Sequence, residues 1–182
     1  MTNFTLPYPK LSPRQFAWDT AVLFVAVFWL GGSLILDLVV MPMLYMSGMM
    51  TAPGFASAGY GLFELFNHLE MLLSGLILTG VLSMRHAHGE RAVEISGSRS
   101  RWALFLSGGL IAIALTYTYV LTPYMGAIGI ALDMPGIIHI VPNAMNWMHG
   151  AYWFLESIKV LALGFLLTLC YSDIAAQFTE HN

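Results

Sequence analysis

Long apolar stretches separated by short polar segments make up most of this chain. Four stretches are long enough for a helix to cross the hydrocarbon core of a bilayer, which takes about 20 residues. They cover approximately residues 16–43, 60–84, 102–124 and 144–171. No soluble domain fits between them, since the longest polar insert is residues 85–101. The pattern therefore predicts an all-α protein, an integral membrane up-down four-helix bundle.

Composition agrees with this class. The chain has 182 residues, of which 58% are hydrophobic and only 9% are charged. A soluble domain of this length could not bury so much apolar surface, so the lipid bilayer is the expected partner. The net charge of -3 gives no case for nucleic-acid binding. Cys170 is the single cysteine, which excludes an intramolecular disulfide.

Basic residues are unevenly distributed and predict the orientation in the membrane. Two precede the first stretch and four lie between the second and third: Lys10, Arg14, Arg85, Arg91, Arg99 and Arg101. The connections 44–59 and 125–143 have neither lysine nor arginine. By the positive-inside rule, both termini and the middle loop are cytoplasmic. We call the opposite end of the bundle, which carries these two connections, the outer end.

This orientation divides the chain into a cytoplasmic N-terminal segment, a transmembrane domain and a cytoplasmic tail, residues 1–15, 16–172 and 173–182. The expected location is a bacterial inner (plasma) membrane or a thylakoid membrane, crossed several times. A homo-oligomer and a larger membrane complex both remain open as partners. No convincing internal repeat is visible in the sequence.

Ionisable residues inside the apolar stretches are the candidate functional groups. A segment such as "ELFNHLEML", residues 64–72, is expensive to place in lipid. Such residues usually face the bundle interior and mark functional sites. The candidates within the four stretches are Asp37, Glu64, His68, Glu70, His149, Glu156 and Lys159.

The first group is an outer layer of two histidines and two carboxylates. His68 and His149 fall at similar depth in the outer half, with Asp37 and Glu64 nearby. Neutral imidazole is the commonest metal ligand, a carboxylate can orient it, and two histidines from facing helices can ligate a haem. The layer predicts a site for haem b or copper with His68 and His149 as ligands. The alternative is a hydrogen-bonded polar layer that fixes helix register or handles protons.

Methionines concentrate at the outer end, where the first stretch ends in "MPMLYMSGMM". Thioether sulfur is a soft ligand that suits Cu(I), so Met43 and Met46 are candidate copper ligands. Methionine is also a good apolar filler, which is the structural alternative. Pro42 predicts a bend or an end of the first helix.

The second group is a deeper charge network of Glu70, Glu156 and Lys159. Glu156 and Lys159 are three residues apart and share a face of the fourth helix. Glu70 points away from His68 on its own helix and so should meet another neighbour. A neutralised pair is cheaper to bury than a lone charge, so this network is predicted to stabilise the bundle or relay protons.

Two segments resemble a known family. "FWLGGSLILDLVVMPML" and "MHGAYWFLESIKVLALG" are similar to the first and fourth helices of the copper-resistance-D-like superfamily of small membrane proteins. The resemblance implies a four-helix bundle with copper or haem association and puts His149, Glu156 and Lys159 among the family's polar residues. A protoporphyrinogen oxidase branch is similar in architecture. That branch is expected to show a histidine in the first helix, where this chain has Asp37.

These observations favour a non-enzymatic membrane protein that binds haem or copper in its outer half, for metal handling or electron transfer. No nucleophile motif or phosphate-binding loop indicates an enzyme. One alternative function is a proton or small-solute conduit along the buried polar residues. Another is an accessory or assembly subunit of a larger membrane complex.

Overall fold

The computed structural model describes residues 13–49, 52–89, 99–132 and 142–179. Helices account for nearly all of these residues. Helix α1 covers Pro13–Ile35 and passes through a π-helical turn, Leu36–Val40, into α2, Met41–Met46. Helix α3 covers Phe55–Gly89 and α6 covers Asn143–Thr179. Helix α4, Arg99–Thr116, passes through a second π-helical turn, Tyr117–Leu121, into α5, Thr122–Leu132.

These elements form four continuous helices, each long and apolar enough to cross a membrane. The spans are Trp18–Met46, Phe55–His86, Arg101–Leu132 and Asn143–Ser172. The predicted all-α four-helix membrane bundle is confirmed, and the chain is a multi-pass integral membrane protein. The third span continues to Leu132 because "GAIGIAL" remains apolar and helical beyond Pro123.

The four spans form a ring in chain order. Each span packs against the next, and the fourth closes the ring by packing against the first. The first and third spans, like the second and fourth, therefore face each other across the bundle axis. A side chain that points to the axis can be reached from all four spans.

An apolar core fills the half of the bundle that lies away from the outer end. Its buried side chains come from all four spans: Val22, Ala26, Trp29, Leu73, Ile77, Val81, Leu110, Leu163, Leu166 and Cys170. Lipid tails are as apolar as these side chains, so close packing rather than exclusion of water is what stabilises such a core in a membrane. The same half of the bundle also contains three buried polar side chains, Asp19, Ser74 and Ser107.

Both π-helical turns precede a proline by the same distance. The first ends at Val40, two residues before Pro42, and the second ends at Leu121, two residues before Pro123. Proline lacks an N–H and clashes with the preceding turn, and the wider π turn accommodates that loss. The first helix therefore does not end at Pro42 but continues to Met46. The first and third spans are thus structural counterparts, although the sequence shows no clear repeat.

The second and fourth spans also correspond. The buried pair Asn67 and Glu70 has the same three-residue spacing as the buried pair Glu156 and Lys159. A glycine follows five residues after Glu70 and five residues after Lys159. Equivalent positions on the two spans therefore hold the polar side chains at the bundle axis.

Gly80 allows the second span to approach the first. A Cβ atom at Gly80 would overlap Cγ2 of buried Val22. We expect Gly80→Ala to destabilise the protein by about 1–3 kcal/mol, the usual cost of overpacking, as measured by thermal unfolding in detergent. Gly108→Ala is the matched control, because a Cβ atom there meets nothing within 4 Å. Equal shifts in both variants would contradict close packing at Gly80.

Candidate functional site

An ion pair crosses the bundle axis between the second and fourth spans. Nζ of Lys159 lies 2.5 Å from Oε1 of Glu70 and 2.7 Å from Oε2 of Glu156. The lysine is fully buried and both glutamates are almost fully buried. A buried charge that loses its partner is strongly destabilising, so these three side chains depend on one another. The structure thus brings together the three residues of the charge network.

The first span holds Glu70 in place. Nε1 of Trp29 donates a hydrogen bond of 2.9 Å to Oε1 of Glu70, and Oγ of Ser33 donates one of 3.3 Å to the same oxygen. Nζ of Lys159 lies 6.0 Å from the centroid of the Trp29 ring, within the range of a cation–π contact. One carboxylate oxygen of Glu70 therefore accepts from three donors on two helices.

Asp37 joins this cluster through the first π-helical turn. Its buried carboxyl group lies beside that of Glu156. Two ionised carboxylates this close in an apolar surrounding repel each other, which favours a proton on one of them. Asp37 was expected beside the histidines of the outer layer. The structure places it in the deeper network instead, because the π turn directs it toward the bundle axis.

Two stacked tyrosines cover the cluster on its outer side. The hydroxyl of Tyr117, in the second π-helical turn, lies 3.2 Å from both Oε2 of Glu156 and the carbonyl oxygen of Tyr152. The rings of Tyr117 and Tyr152 stack with centroids 4.7 Å apart. Phe63 packs edge-on against Tyr152 at 5.8 Å. The fourth span therefore contacts both the second and third spans above the ion pair.

A separate polar contact joins the second and third spans near Pro123. Nδ2 of Asn67 donates to Oγ1 of Thr122 at 2.5 Å. The hydroxyl of Thr118 is 2.8 Å from the carbonyl oxygen of Ala114. Within the described residues, three buried oxygens accept no hydrogen bond, namely Oδ1 of Asn67, Oε2 of Glu70 and Oε1 of Glu156. These buried acceptors extend the polar interior from the ion pair toward the third span.

The two predicted histidine ligands lie on the surface of the bundle. Nδ1 of His68 is 2.7 Å from the carbonyl oxygen of Glu64, and Nδ1 of His149 is 2.9 Å from that of Met145. A carbonyl oxygen only accepts, so Nδ1 carries the proton in both rings and Nε2 is directed away from the helix. The side chain of Glu64 is also exposed.

The structure does not bring the proposed metal ligands together. His149 is seven residues before Glu156 and so lies on the same face of the fourth span, at the outer end. His68 lies on the face of the second span opposite the buried Asn67 and Glu70. Met43 and Met46 are exposed on α2. Across the described spans, no group of three or more His, Cys, Asp or Glu side chains has an arrangement that could hold a metal ion.

Several residues of the cluster were not predicted from the sequence, namely Trp29, Tyr117, Asn67 and Thr122. The position of Trp29 in the sequence could have indicated its buried contact. Tryptophan in membrane helices favours the interfaces with water, whereas Trp29 stands well inside the first span, four residues before Ser33. A tryptophan at that depth indicates a buried partner for its N–H. Tyr117 gave no such signal, since the third span contains several neighbouring hydroxyl side chains.

The completed site has three carboxyl groups, one lysine and a tyrosine hydroxyl in an apolar surrounding. No protein-family model, curated protein or solved structure matches this chain. The arrangement can hold protons at carboxyl oxygens, because one lysine cannot neutralise three carboxylates.

Proposed function

We propose that this membrane protein takes up and releases protons at the cluster of Asp37, Glu70, Glu156 and Lys159. The geometry of the cluster carries this proposal, because Glu70 and Glu156 share the single ammonium group of Lys159 and Asp37 lies beside Glu156. With every group ionised, the cluster would hold two uncompensated negative charges. The desolvation penalty is several kcal/mol per ion in a protein interior, so protons stay on the carboxyl groups at rest. Removing or returning such a proton is then the chemistry of the site.

The surroundings of the cluster favour exchange with the outer side. His149, Tyr152 and Glu156 lie along one face of the fourth span, and His149 is exposed. The Tyr117 hydroxyl is hydrogen-bonded to Glu156 beneath Tyr152. On the other side of the cluster, the buried hydroxyls of Ser74 and Ser107 each donate to a carbonyl oxygen of their own helix, and buried Asp19 lies near the start of the first span. We propose exchange with the outer side, where the Tyr117 hydroxyl and His149 lie, in preference to a conduit across the membrane.

Infrared difference spectroscopy on the reconstituted protein tests this function. A protonated carboxyl group has its own C=O stretching band, which shifts in heavy water. We expect a band of this kind that titrates with pH and that is lost or shifted in Asp37→Asn and in Glu156→Gln. Glu64→Gln is the control, since Glu64 is exposed and lies outside the cluster. An unchanged band in both cluster variants, or no titrating carboxyl band, would overturn the proposal.

Vesicles loaded with a pH-sensitive dye separate exchange from conduction. An exchange site open to one side gives no steady acidification of the vesicle interior after an external acid pulse. Acidification that disappears in Glu156→Gln would instead favour the conduit function.

Haem or copper binding is a second candidate function, carried by the sequence, since the structure does not bring His68 and His149 together. A ligating histidine usually donates its other ring N–H to a carbonyl or carboxylate oxygen, as Nδ1 does in His68 and His149. Nε2 would be the ligating atom in each ring. The absorbance spectrum and copper content of the purified protein test this. Absence of both a Soret band and copper, or no loss of either in His68→Ala and His149→Ala, would contradict it.

A further inference from the structure

The outward face of the second span carries polar groups where lipid is expected. Glu64 and His68 are exposed, and His68 stands close to the middle of the span Phe55–His86. Buried Asn67 and Glu70 mark the opposite, inward face of the same helix. An ionised side chain at this depth in a membrane is energetically costly. Polar side chains in membrane helices instead hydrogen-bond to another helix.

The same face contains small residues that allow another helix to pack closely against it. Gly61, His68 and Gly75 are seven residues apart and so lie on one stripe of the helix. A Cβ atom at Gly61 or Gly75 would meet nothing within 4 Å, so both glycines are open within one copy. Leu65 and Leu72 flank the stripe with exposed fractions of 73% and 66%. Small residues around a polar side chain, bordered by leucines, are typical of contacts between membrane helices.

We propose that this face binds the same face of a second copy, forming a dimer whose twofold axis is parallel to the membrane normal. Two copies inserted in the same orientation meet isologously, so each face must complement itself. The face does so, because it offers an acid and a base one helical turn apart. The carboxyl group of Glu64 in one copy donates to Nε2 of His68 in the other, and the symmetry repeats the contact.

The hydrogen bond that His68 makes within its own helix suits it to a contact with Glu64 of a second copy. Nδ1 lies 2.7 Å from the carbonyl oxygen of Glu64 within its own helix, which leaves the outward Nε2 available for a contact with another copy. A protonated carboxyl group supplies the matching donor without introducing charge into the lipid. The dimer therefore removes both exposed polar groups from lipid at once. None of these residues belongs to the proton-exchange cluster.

Disulfide cross-linking of the full-length protein in membranes tests the dimer. In a Cys170→Ala background, Leu72→Cys places the only thiol on the proposed face. Leu161→Cys is the matched control, since it is 73% exposed and stands two residues after Lys159, as Leu72 stands two residues after Glu70. Oxidation should link Leu72→Cys copies into a dimer and leave Leu161→Cys unlinked. No cross-linking, or equal cross-linking of both, would overturn the proposal.

Dimer dissociation is also measured on the protein that keeps Cys170, in case the Cys170→Ala variant folds poorly. His68→Leu and Gly75→Leu should each raise the dissociation constant of the dimer about tenfold, a change of about 1.4 kcal/mol, as measured by light scattering in detergent. Gly108→Leu is the control, since a Cβ atom there also meets nothing within 4 Å but belongs to the third span. A monomeric unmodified protein, or Leu72→Cys cross-linking only to a different protein, would overturn the proposal.

Discussion

Lys159→Met should destabilise the bundle more than any other single change at the site, by about 3–5 kcal/mol of unfolding free energy. Lys159 is fully buried and is paired with Glu70 at 2.5 Å and Glu156 at 2.7 Å. Removing the ammonium group leaves several carboxyl groups at the bundle axis without a counter-charge. Thermal unfolding in detergent, followed by helical circular dichroism, measures the loss.

A double variant separates the missing counter-charge from the missing side-chain volume. Glu70→Gln with Lys159→Met removes one charge of each sign, so it should be more stable than Lys159→Met alone. Removing both members of a buried pair is often close to neutral, whereas removing one is not. The coupling follows from the double-mutant cycle. If the losses of unfolding free energy from the two substitutions are additive, Glu70 and Lys159 do not stabilise the bundle as a pair.

Trp29→Ala should have the next largest effect, about 3–5 kcal/mol, because it opens a cavity where a large side chain was buried. Trp29 is only 1% exposed, and it is part of the apolar core. It also contacts the charge cluster through its N–H, which donates to Oε1 of Glu70 at 2.9 Å. The same unfolding measurement applies.

Trp29→Phe separates these two contributions. It keeps most of the ring volume and removes only the N–H donor, so the expected cost is about 1–3 kcal/mol. It should also alter the titration of the carboxyl band, because Glu70 loses one of its three donors. Equal costs for Trp29→Ala and Trp29→Phe would mean that the hydrogen bond dominates and that packing at this position contributes little.

The π-helical turns explain how an ordinary four-helix bundle assembles this cluster. Asp37 lies in the first turn and Tyr117 in the second, and both contact Glu156. An inserted residue in a helix changes the direction of the side chains beyond it, and such turns are frequent at functional sites. The two prolines that follow keep the turns in place. The paired turns therefore place one polar side chain from the first span and one from the third beside Glu156 on the fourth.

The sequence by itself determined the membrane class and the number of spans. Apolar stretches of this length have no other stable environment, and a helix satisfies its own backbone hydrogen bonds in lipid. Helical spacing also indicated that Glu156 and Lys159 share a face and that Glu70 turns away from His68. These are local properties, fixed by the rise and rotation per residue.

Only the tertiary structure decided which polar side chains meet. Asp37 was grouped with the histidines by depth, but the π-helical turn brings it to Glu156. His68 and His149 have similar depth yet lie on different faces, and a face becomes inward or outward only when the neighbouring spans are known. Trp29 and Tyr117 reach the charges from other helices. Depth along a span follows from counting residues, whereas contact across the axis depends on the rotation and order of all four helices.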